Sequence, residues 1–394
     1  MRPTAEELFG PAGTPRVVVV GAGFGGIAAG VKMKKAGIHT FTIYESSLGI
    51  GGTWWDNTYP GAEVDVGSHL YCFSFRPNNW ARTHARQPEL QKYLEETVDE
   101  FGLRPHLQLG TTVESAAWDD HRHVWEVRVD DGSVDECHVL VSGVGFLNVP
   151  RYPEWPGLDD FEGPAFHTAR WEHQHDLTGK VVAVVGTGSS ATQVVPAIQP
   201  IVRKLYVLQR EPGWVVPKGE RDLSDHERAS LAKPWRHKWE RWRLKYLLER
   251  NLWRGRVYRP GTKINKVRQQ FCLDYIARKF ADRPDLRDAV TPKYPYPGKR
   301  PVLASTFYSA LEKENVELVP RAVTSVTRTG VVDSSGMERS VDVIVMATGF
   351  QPADYLARLR VIGRRRRTLQ EHWAGEPRAY FGITVPGFPN FFML

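Results

Sequence analysis

Val17-Val-Val-Val-Gly-Ala-Gly-Phe-Gly-Gly26 and Val181-Val-Ala-Val-Val-Gly-Thr-Gly-Ser-Ser-Ala191 repeat one pattern, with their first glycines 165 residues apart. Each β-branched run predicts a buried strand, the glycines predict a tight turn, and the residues that follow predict a helix. The first glycine permits the turn, the second lets backbone approach a pyrophosphate, and the third small residue lets the helix pack on the strand. The sequence therefore predicts an α/β fold with two Rossmann-type dinucleotide-binding domains.

The residue at the end of each second strand distinguishes the two predicted sites. Glu45 follows the first glycine of its loop by 24 residues, where a carboxylate can accept hydrogen bonds from the ribose hydroxyls of FAD. Arg210 has the same offset, where a guanidinium can bind the 2′-phosphate of NADPH. The alternative is that both are solvated strand ends. The nucleotide contacts predicted from these segments are Gly21, Gly23, Gly26 and Glu45 for FAD, and Gly186, Gly188, Ser189, Ser190, Gln193 and Arg210 for NADPH.

Two further apolar runs, 139–144 and 343–346, predict buried strands that we expect to complete the first sheet. The first domain is then discontinuous, and the second is inserted into it after a proline-rich linker at 149–156. The predicted boundaries are 1–148 plus 336–394 for the FAD-binding domain and 157–335 for the NADPH-binding domain, with a helical insertion at about 218–298.

The insertion contains an aromatic stripe. Trp235, Trp239, Trp242 and Tyr246 recur at spacings that place them on one face of a helix, among several arginines and lysines. We expect the stripe to pack on the rest of the protein and the basic residues to form the solvated face. The alternative is a helix that lies on a membrane surface.

Composition narrows the class of protein. The 394 residues are 41% hydrophobic and 25% charged, as in an ordered protein of two or three domains. No run of about 18 apolar residues occurs, so we expect neither a membrane span nor a secretory signal, and a cytoplasmic location. Three scattered cysteines without a CxxC pair predict no disulfide framework and no metal site. The net charge of +7 is not accompanied by a nucleic-acid-binding motif, so no nucleic acid partner is expected. The sequence leaves the oligomeric state open.

The two predicted cofactors imply hydride transfer from NADPH to the flavin, after which the electrons need an acceptor. A disulfide reductase would pass them to a cysteine pair, and the sequence has none. Ligand spacings for iron–sulfur clusters or haem are also missing. Molecular oxygen or another small acceptor is the remaining outlet.

One long motif brings a family into view. The long fingerprint of the Baeyer–Villiger flavin monooxygenases resembles Gly51-Gly-Thr-Trp-Trp-Asp-Asn-Thr-Tyr-Pro-Gly-Ala-Glu-Val-Asp65. Their second fingerprint resembles residues 161–171, but this chain has Glu172 where the family motif ends in Pro or Asp. The resemblance implies oxidation of a ketone by O2 to an ester or lactone through a flavin C4a-peroxide. The departure at Glu172 keeps an N- or S-oxygenating flavin monooxygenase as an alternative.

The same resemblance implies roles for individual residues. In 297–301 the pair Lys299-Arg300 is expected to contact NADPH, and Arg300 to stabilise the peroxyflavin, since a fixed cation stabilises a developing anion in a dry site. The resemblance also implies that Asp65 orients Arg300 and closes over the flavin as a cofactor contact. Taken without the fingerprint, two such residues would more often form a structural salt bridge. Further expected cofactor contacts are Gly52, Thr53, Trp54 and Tyr71.

The family continues beyond the position that corresponds to Leu394. We therefore expect a chain that is C-terminally incomplete relative to the family and that retains FAD weakly. A nucleotide-binding remnant without coupled turnover is the alternative of a different class.

Overall fold

The structure, a computed structural model, describes residues 13–253, 256–352, 356 and 359–394. The chain forms two units, each with its own contacts. The first contains the described residues of Met1–Asp56, Leu90–Val149 and Phe350–Leu394, and the second contains those of Asn57–Glu89 and Pro150–Gly349.

The strands and helices of the described residues are numbered in chain order. The strands are β1 Val17–Val20, β2 Phe41–Glu45, β3 Leu107–Leu109, β4 Val113–Asp119, β5 Val124–Val129, β6 Val134–Cys137, β7 Val139–Ser142, β8 Ala165–His167, β9 Val181–Val185, β10 Lys204–Leu208, β11 Val215–Val216, β12 Val302–Leu303, β13 Val316–Val319, β14 Val323–Thr327, β15 Gly330–Asp333, β16 Glu338–Ser340, β17 Val343–Met346, β18 Arg360–Ile362 and β19 Phe391–Met393. The α-helices are α1 Phe24–Lys35, α2 Thr53–Asp56, α3 Ser68–Tyr71, α4 Gln87–Glu100, α5 Ser189–Ile198, α6 Asp225–Leu231, α7 Pro234–Trp253, α8 Lys263–Lys279, α9 Pro284–Val290, α10 Phe307–Leu311 and α11 Leu369–Trp373. Short 3₁₀ turns lie at Arg104–His106, Leu158–Asp160, Thr168–Arg170, Arg256–Tyr258 and Arg364–Arg366.

The first unit is built on a five-stranded sheet of order β19-β7-β1-β2-β3. All of its strand pairs are parallel. The four valines of β1 are buried, because the strand lies in the middle of the sheet. Burial of each such side chain stabilises the fold by about 1.5–3 kcal/mol. The position of β7 beside β1 confirms that the run starting at Val139 completes this sheet.

A second sheet of the first unit has the order β18-β4-β5-β6. Its pairs β4–β5 and β5–β6 are antiparallel, and β18 is parallel to β4. Trp125 of β5 is fully buried in the core of the unit, and its indole N–H donates to the carbonyl oxygen of Pro389 at 2.8 Å. A buried indole thus keeps its hydrogen bond.

The second unit repeats the parallel architecture with a sheet of order β13-β10-β9-β17-β8. The prediction that Val343–Met346 completes the first sheet is wrong, because this strand, β17, pairs in parallel with β9 and β8 of the second sheet. All four residues of β17 are buried, as a strand between two parallel neighbours requires. The range 336–349, predicted to return to the first domain, accordingly lies in the second unit. The two Rossmann-type sheets of the predicted fold class are confirmed.

The predicted insertion contains the helices α6 to α9. The prediction that its aromatic stripe packs on the rest of the protein is wrong for α7. Trp235, Trp239, Trp242 and Tyr246 are exposed, and the buried face of the helix is the opposite one, which includes His237. No helix within the described ranges combines the length and the apolar character that crossing a membrane requires.

Two small sheets complete the second unit. Strands β14, β15 and β16 form an antiparallel meander. Strands β11 and β12 form a parallel pair in which Val215 lies beside Val302 and Val216 beside Leu303. Because β11 precedes the helical insertion and β12 follows it, this pair joins the two ends of the insertion.

Candidate functional site

The first glycine loop leaves no room for side chains at two positions. Gly21 has a φ of +100°, and a Cβ there would lie 2.7 Å from the carbonyl oxygen of Gly143. A Cβ at Gly26 would lie only 1.8 Å from the carbonyl oxygen of Gly21. Helix α1 begins after Gly23, and no side chain within the described residues caps it. Its first amides are therefore open to an anionic group such as a pyrophosphate.

The start of the long fingerprint packs against this loop. Gly52 has a φ of +55°, and a Cβ on it would lie 3.1 Å from the Cα of Gly23. The following helix α2 begins with the exposed Thr53 and the buried Trp54. Three of the predicted flavin contacts are thus brought to the glycine loop of the first unit.

Glu45 lies at the carboxyl end of β2 and is 7% exposed. One carboxylate oxygen accepts from the backbone N–H of Ala22 at 2.7 Å, and the other accepts from the N–H of Ser47 at 2.9 Å. Glu45 therefore holds the glycine loop in place. Since a carboxylate has about four acceptor positions, it retains capacity for a ribose hydroxyl.

The second glycine loop has the same construction. Gly186 has a φ of +118°, and a Cβ there would lie 2.4 Å from the carbonyl oxygen of Ala347. A Cβ at Gly188 would meet nothing within 4 Å, so a ligand has space to approach the backbone. Helix α5 begins with Ser189 and Ser190, and no described side chain caps it.

Two of the predicted NADPH contacts lie close together in the second unit. Arg210 follows β10, is exposed, and makes no hydrogen bond or ion pair with any residue that the structure describes. The next residue, Glu211, forms an ion pair with Lys299, whose ammonium also lies 5.5 Å from the ring centre of Tyr294. Glu211 thus places Lys299 near Arg210.

Gln193 of α5 holds the fingerprint instead of remaining free. Its amide oxygen accepts from the hydroxyl of Tyr59 at 2.9 Å and from the N–H of Glu63 at 3.3 Å, and its amide nitrogen donates to the Glu63 carbonyl at 3.0 Å. Between them, Gly61 has a φ of +85°, and a Cβ on it would lie 2.6 Å from the Gln193 carbonyl. Gln193, predicted as a coenzyme contact, therefore fixes the segment that leads to Asp65.

Asp65, whose side chain is 26% exposed, lies in a charged cluster with Glu63 and the buried Lys218. The Lys218 ammonium, with 1% of its side chain exposed, lies 2.7 Å from a carboxylate oxygen of Glu63 and 4.0 Å from Oδ1 of Asp65. That Oδ1 is buried and has no hydrogen-bond partner within the described residues. Burial raises the pKa of Asp65, and the charges of Lys218 and Arg300 oppose that increase.

The two cations whose charges act on Asp65 lie at opposite ends of the parallel β11–β12 pair. Lys218 follows β11 by two residues, and Arg300 precedes β12 by two. The backbone N–H groups of Lys218 and Gly219 donate to the hydroxyl of Ser305 at 3.0 Å, which fixes the lysine segment. Arg300 is exposed and has no hydrogen bond to any described residue, although its charge acts on Asp65. The charge of Arg300 thus acts on Asp65, without a hydrogen bond or ion pair between the two among the described residues.

Tyr71 belongs to a different unit from the other predicted flavin contacts. It ends α3 in the second unit, whereas Gly52, Thr53 and Trp54 belong to the first. Sequence reasoning also missed Glu63 and Lys218. Glu63 stands inside the fingerprint, which was its only signal, and a lone lysine after two valines gives no sign that it is buried.

Two Rossmann-type units, one with an acidic and one with a basic residue at the carboxyl end of the second strand, define a flavin- and nicotinamide-dependent oxidoreductase. Residues 14–225 match the model of the flavin-binding monooxygenase-like family. The chain belongs to that family and, within it, to the Baeyer–Villiger monooxygenases.

Individual relatives support this assignment. The chain is 42% identical over 382 residues to a Baeyer–Villiger monooxygenase of Streptomyces coelicolor, a match that covers 95% of this chain and 72% of that one. It is 38% identical over 390 residues to one of Pseudomonas aeruginosa, with 96% and 72% covered. A solved steroid monooxygenase bound to NADP superposes with a TM-score of 0.87 at 34% identity, with 97% of this chain and 80% of that chain covered. FAD and NADPH are therefore the cofactors, as predicted.

Proposed function

We propose that this protein catalyses the Baeyer–Villiger oxidation of a ketone, in which one atom of O2 is inserted beside the carbonyl group to give an ester or a lactone. The observation that carries the proposal is the position of Asp65. The fingerprint of this family carries a half-buried carboxylate, one oxygen of which is buried and has no hydrogen-bond partner among the described residues, and the charges of Lys218 and Arg300 act on it. When bound, NADPH and FAD supply the hydride and the oxygen-reactive ring.

In the first unit, the pyrophosphate of FAD would be held by the amides that open α1 and by the close backbone approach at Gly21, Gly23 and Gly26. Glu45 would accept from a ribose hydroxyl while it keeps its bonds to the loop. The glycine cradle supports this assignment, because a methyl group at Gly26 would collide with backbone. Flavin contacts by Gly52, Thr53, Trp54 and Tyr71 are part of the proposal.

In the second unit, Gly186, Gly188, Ser189 and Ser190 would hold the pyrophosphate of NADPH in the same way. Arg210 would bind the 2′-phosphate, and its lack of a partner within the described residues supports this role. A guanidinium that no carboxylate neutralises remains available for a bidentate contact with phosphate. Lys299 would add a second positive charge, shared with Glu211.

Arg300 would stabilise the negative charge that develops on oxygen during the oxygenation step, and Asp65 would orient it. The guanidinium stays protonated at every working pH, so its charge needs no reorganisation at the moment of reaction. Lys218 would keep Asp65 ionised against the effect of burial, because a cation 4.0 Å away favours the charged carboxylate. Gln193 would fix the backbone on which Asp65 is carried.

We further propose a cytoplasmic location. The three cysteines are free and buried, as a reducing compartment allows, and that compartment supplies NADPH.

The decisive experiment is product analysis with isotopically labelled oxygen. The purified protein, supplied with FAD, NADPH and ¹⁸O2, is offered a panel of cyclic ketones, tertiary amines and thioethers. We expect lactones that carry one ¹⁸O atom, formed only when both NADPH and oxygen are present. N-oxides or sulfoxides without any lactone would instead indicate a heteroatom-oxygenating enzyme, and NADPH oxidation that yields only hydrogen peroxide would contradict the proposed function.

A further inference from the structure

Helix α7 exposes a row of aromatic side chains that the proposed oxygenation does not use. Trp235, Trp239, Trp242 and Tyr246 are 64%, 56%, 61% and 51% exposed. The rings of Trp242 and Tyr246 stack on each other, with centroids 5.5 Å apart. Single exposed apolar residues are ordinary, but a continuous row of large ones marks an interaction surface. We call these four residues the aromatic row.

The orientation of the row is fixed from the opposite face of α7. The guanidinium of Arg241 donates to three carbonyls at the end of α3, those of His69, Leu70 and Cys72, at 3.0, 3.2 and 2.8 Å. The buried ring of His237 lies against that of His69, with 5.3 Å between centroids. Helix α7 therefore cannot turn its aromatic row inward without losing these contacts.

Positive charges flank the row on both sides. At 100° per residue, Lys238 and Lys245 lie along one side because they precede row residues, and Arg236 and Arg243 lie along the other because they follow them. Arg243 is paired with Glu240 of the same helix. In the described part of the chain, Lys238, Lys245 and Arg250 have no ion-pair partner.

We propose that this face of α7 docks on an anionic lipid bilayer. The aromatic rings would sit at the level of the headgroups, where Trp and Tyr are enriched, and the unpaired cations would contact lipid phosphates. The helix would lie along the surface and would not cross the membrane.

Charge distinguishes a lipid surface from a second copy of the chain. A two-fold dimer through this face would bring the same surface of two molecules together. Because cations flank the row on both sides and Glu249 is the one exposed acid on the described part of α7, such a dimer would place like charges opposite each other. An anionic bilayer satisfies the same cations without that repulsion.

Vesicle sedimentation tests the proposal with the full chain. We expect binding to vesicles that contain phosphatidylglycerol, much weaker binding to pure phosphatidylcholine, and a loss of binding as salt is raised. Tryptophan emission should shift to shorter wavelength on binding. Replacing Lys238, Lys245 and Arg250 with Gln should weaken binding about 100- to 200-fold, from about 1 kcal/mol per charge.

Replacing all four residues of the row with Gln should abolish binding and leave NADPH oxidation and thermal stability unchanged. The matched control is Tyr380→Gln with Phe381→Gln, which removes two rings of the first unit that are more exposed than the row, at 71% and 83%, and should bind like the parent. The proposal is overturned if the parent ignores anionic vesicles or if the row variant binds as well as the parent. Concentration-dependent dimerisation that the row variant loses, without vesicle binding, would instead assign this face to self-association.

Discussion

The two glycine loops of this chain have the same backbone construction, but the charged residue at the end of each second strand has different surroundings. In each loop, the first glycine has a positive φ and lies close to the carbonyl of a residue that follows a neighbouring strand. This residue is Gly143 in the first unit and Ala347 in the second. Glu45 is buried and hydrogen-bonded to its own loop, whereas Arg210 is exposed and free of described partners. The first charge is part of the fold, and the second remains available to a ligand.

The loops also differ at the third small residue. Gly26 packs so closely on Gly21 that a methyl group has no space, while the second loop carries Ala191, whose side chain is fully buried without a clash. The helix of the first unit thus approaches its loop more closely than the second helix does. The same sequence motif, with Gly or Ala at its third small position, therefore corresponds to two different distances between helix and loop.

The largest effect is expected at this third position. Gly26→Ala places a Cβ 1.8 Å from a backbone oxygen, so the cost should exceed the usual range of about 1–3 kcal/mol for overpacking and should abolish flavin binding. The matched change in the second unit, Ala191→Gly, should cost about 1 kcal/mol through helix propensity and spare NADPH binding. The flavin-to-protein absorbance ratio and thermal unfolding measure both. Retention of FAD by Gly26→Ala would refute the proposed flavin cradle.

Arg300→Ala should reduce ketone oxygenation by about 100- to 1,000-fold, the effect of removing one preorganised group that stabilises an anion. NADPH oxidation should continue with hydrogen peroxide as its product, because hydride transfer does not create that charge. Lysine should rescue poorly, since it lacks the planar fork of a guanidinium. The measurement is the ratio of lactone formed to NADPH consumed. Coupled oxygenation by Arg300→Ala at the parent rate would show that Arg300 has no catalytic role.

Arg210→Ala tests the contrast between the two strand ends directly. Loss of a charge-assisted contact worth about 1.5–3 kcal/mol should weaken NADPH binding by roughly 10- to 100-fold and leave NADH almost unchanged. Steady-state KM values for both coenzymes measure the change. An equal loss for NADH would mean that Arg210 does not read the 2′-phosphate.

The smallest effect is expected at the half-buried Asp65, in contrast to the buried Glu45. Because burial raises the pKa of Asp65, the folded state binds its proton more tightly than the unfolded state, and stability falls as pH rises through the interval between the two pKa values. Asp65→Asn should therefore increase the free energy of unfolding at neutral pH, with the gain shrinking in acid. Its oxygenation activity should fall.

Glu45→Gln is the control of opposite sign. The amide replaces an acceptor that now receives a backbone N–H, so stability should drop by about 1–3 kcal/mol. Urea unfolding of both variants across a pH series measures the contrast. A stability gain for Asp65→Asn that does not change with pH would exclude titration of Asp65 as its cause.

Local spacing was sufficient to predict the two loops and their charged strand ends, since the turn, the helix and the second strand lie within about 30 residues of each other. It was not sufficient for β17. Val343–Met346 reads as a buried strand of either sheet, and its place beside β9 depends on pairing with residues about 160 positions away. The analogy with β7, which lies beside β1 in the first sheet, is visible only after both sheets are known.

Sequence-based prediction also failed to identify which charged and aromatic side chains are buried. Helical spacing correctly put the aromatic row on one face of α7, but spacing cannot tell which face a protein covers, and here the covered face carries His237 and Arg241. Lys218 shows the opposite error. A lysine is expected at the surface, but this one is buried, because the carboxylates of Glu63 and Asp65 lie beside its ammonium. Pairing across long sequence separations decides both cases.

The strand orders determine which of the two parallel sheets is completed first during protein synthesis. The second sheet has all of its strands once β17 has emerged from the ribosome at Met346, whereas the first sheet still lacks its edge strand β19, which begins at Phe391. Strand β19 pairs with β7, about 250 residues earlier in the chain, so its docking closes the longest loop of that sheet. The unit whose first strand is made earliest is therefore the last to be finished, and until then β7 presents an unpaired edge to other nascent chains.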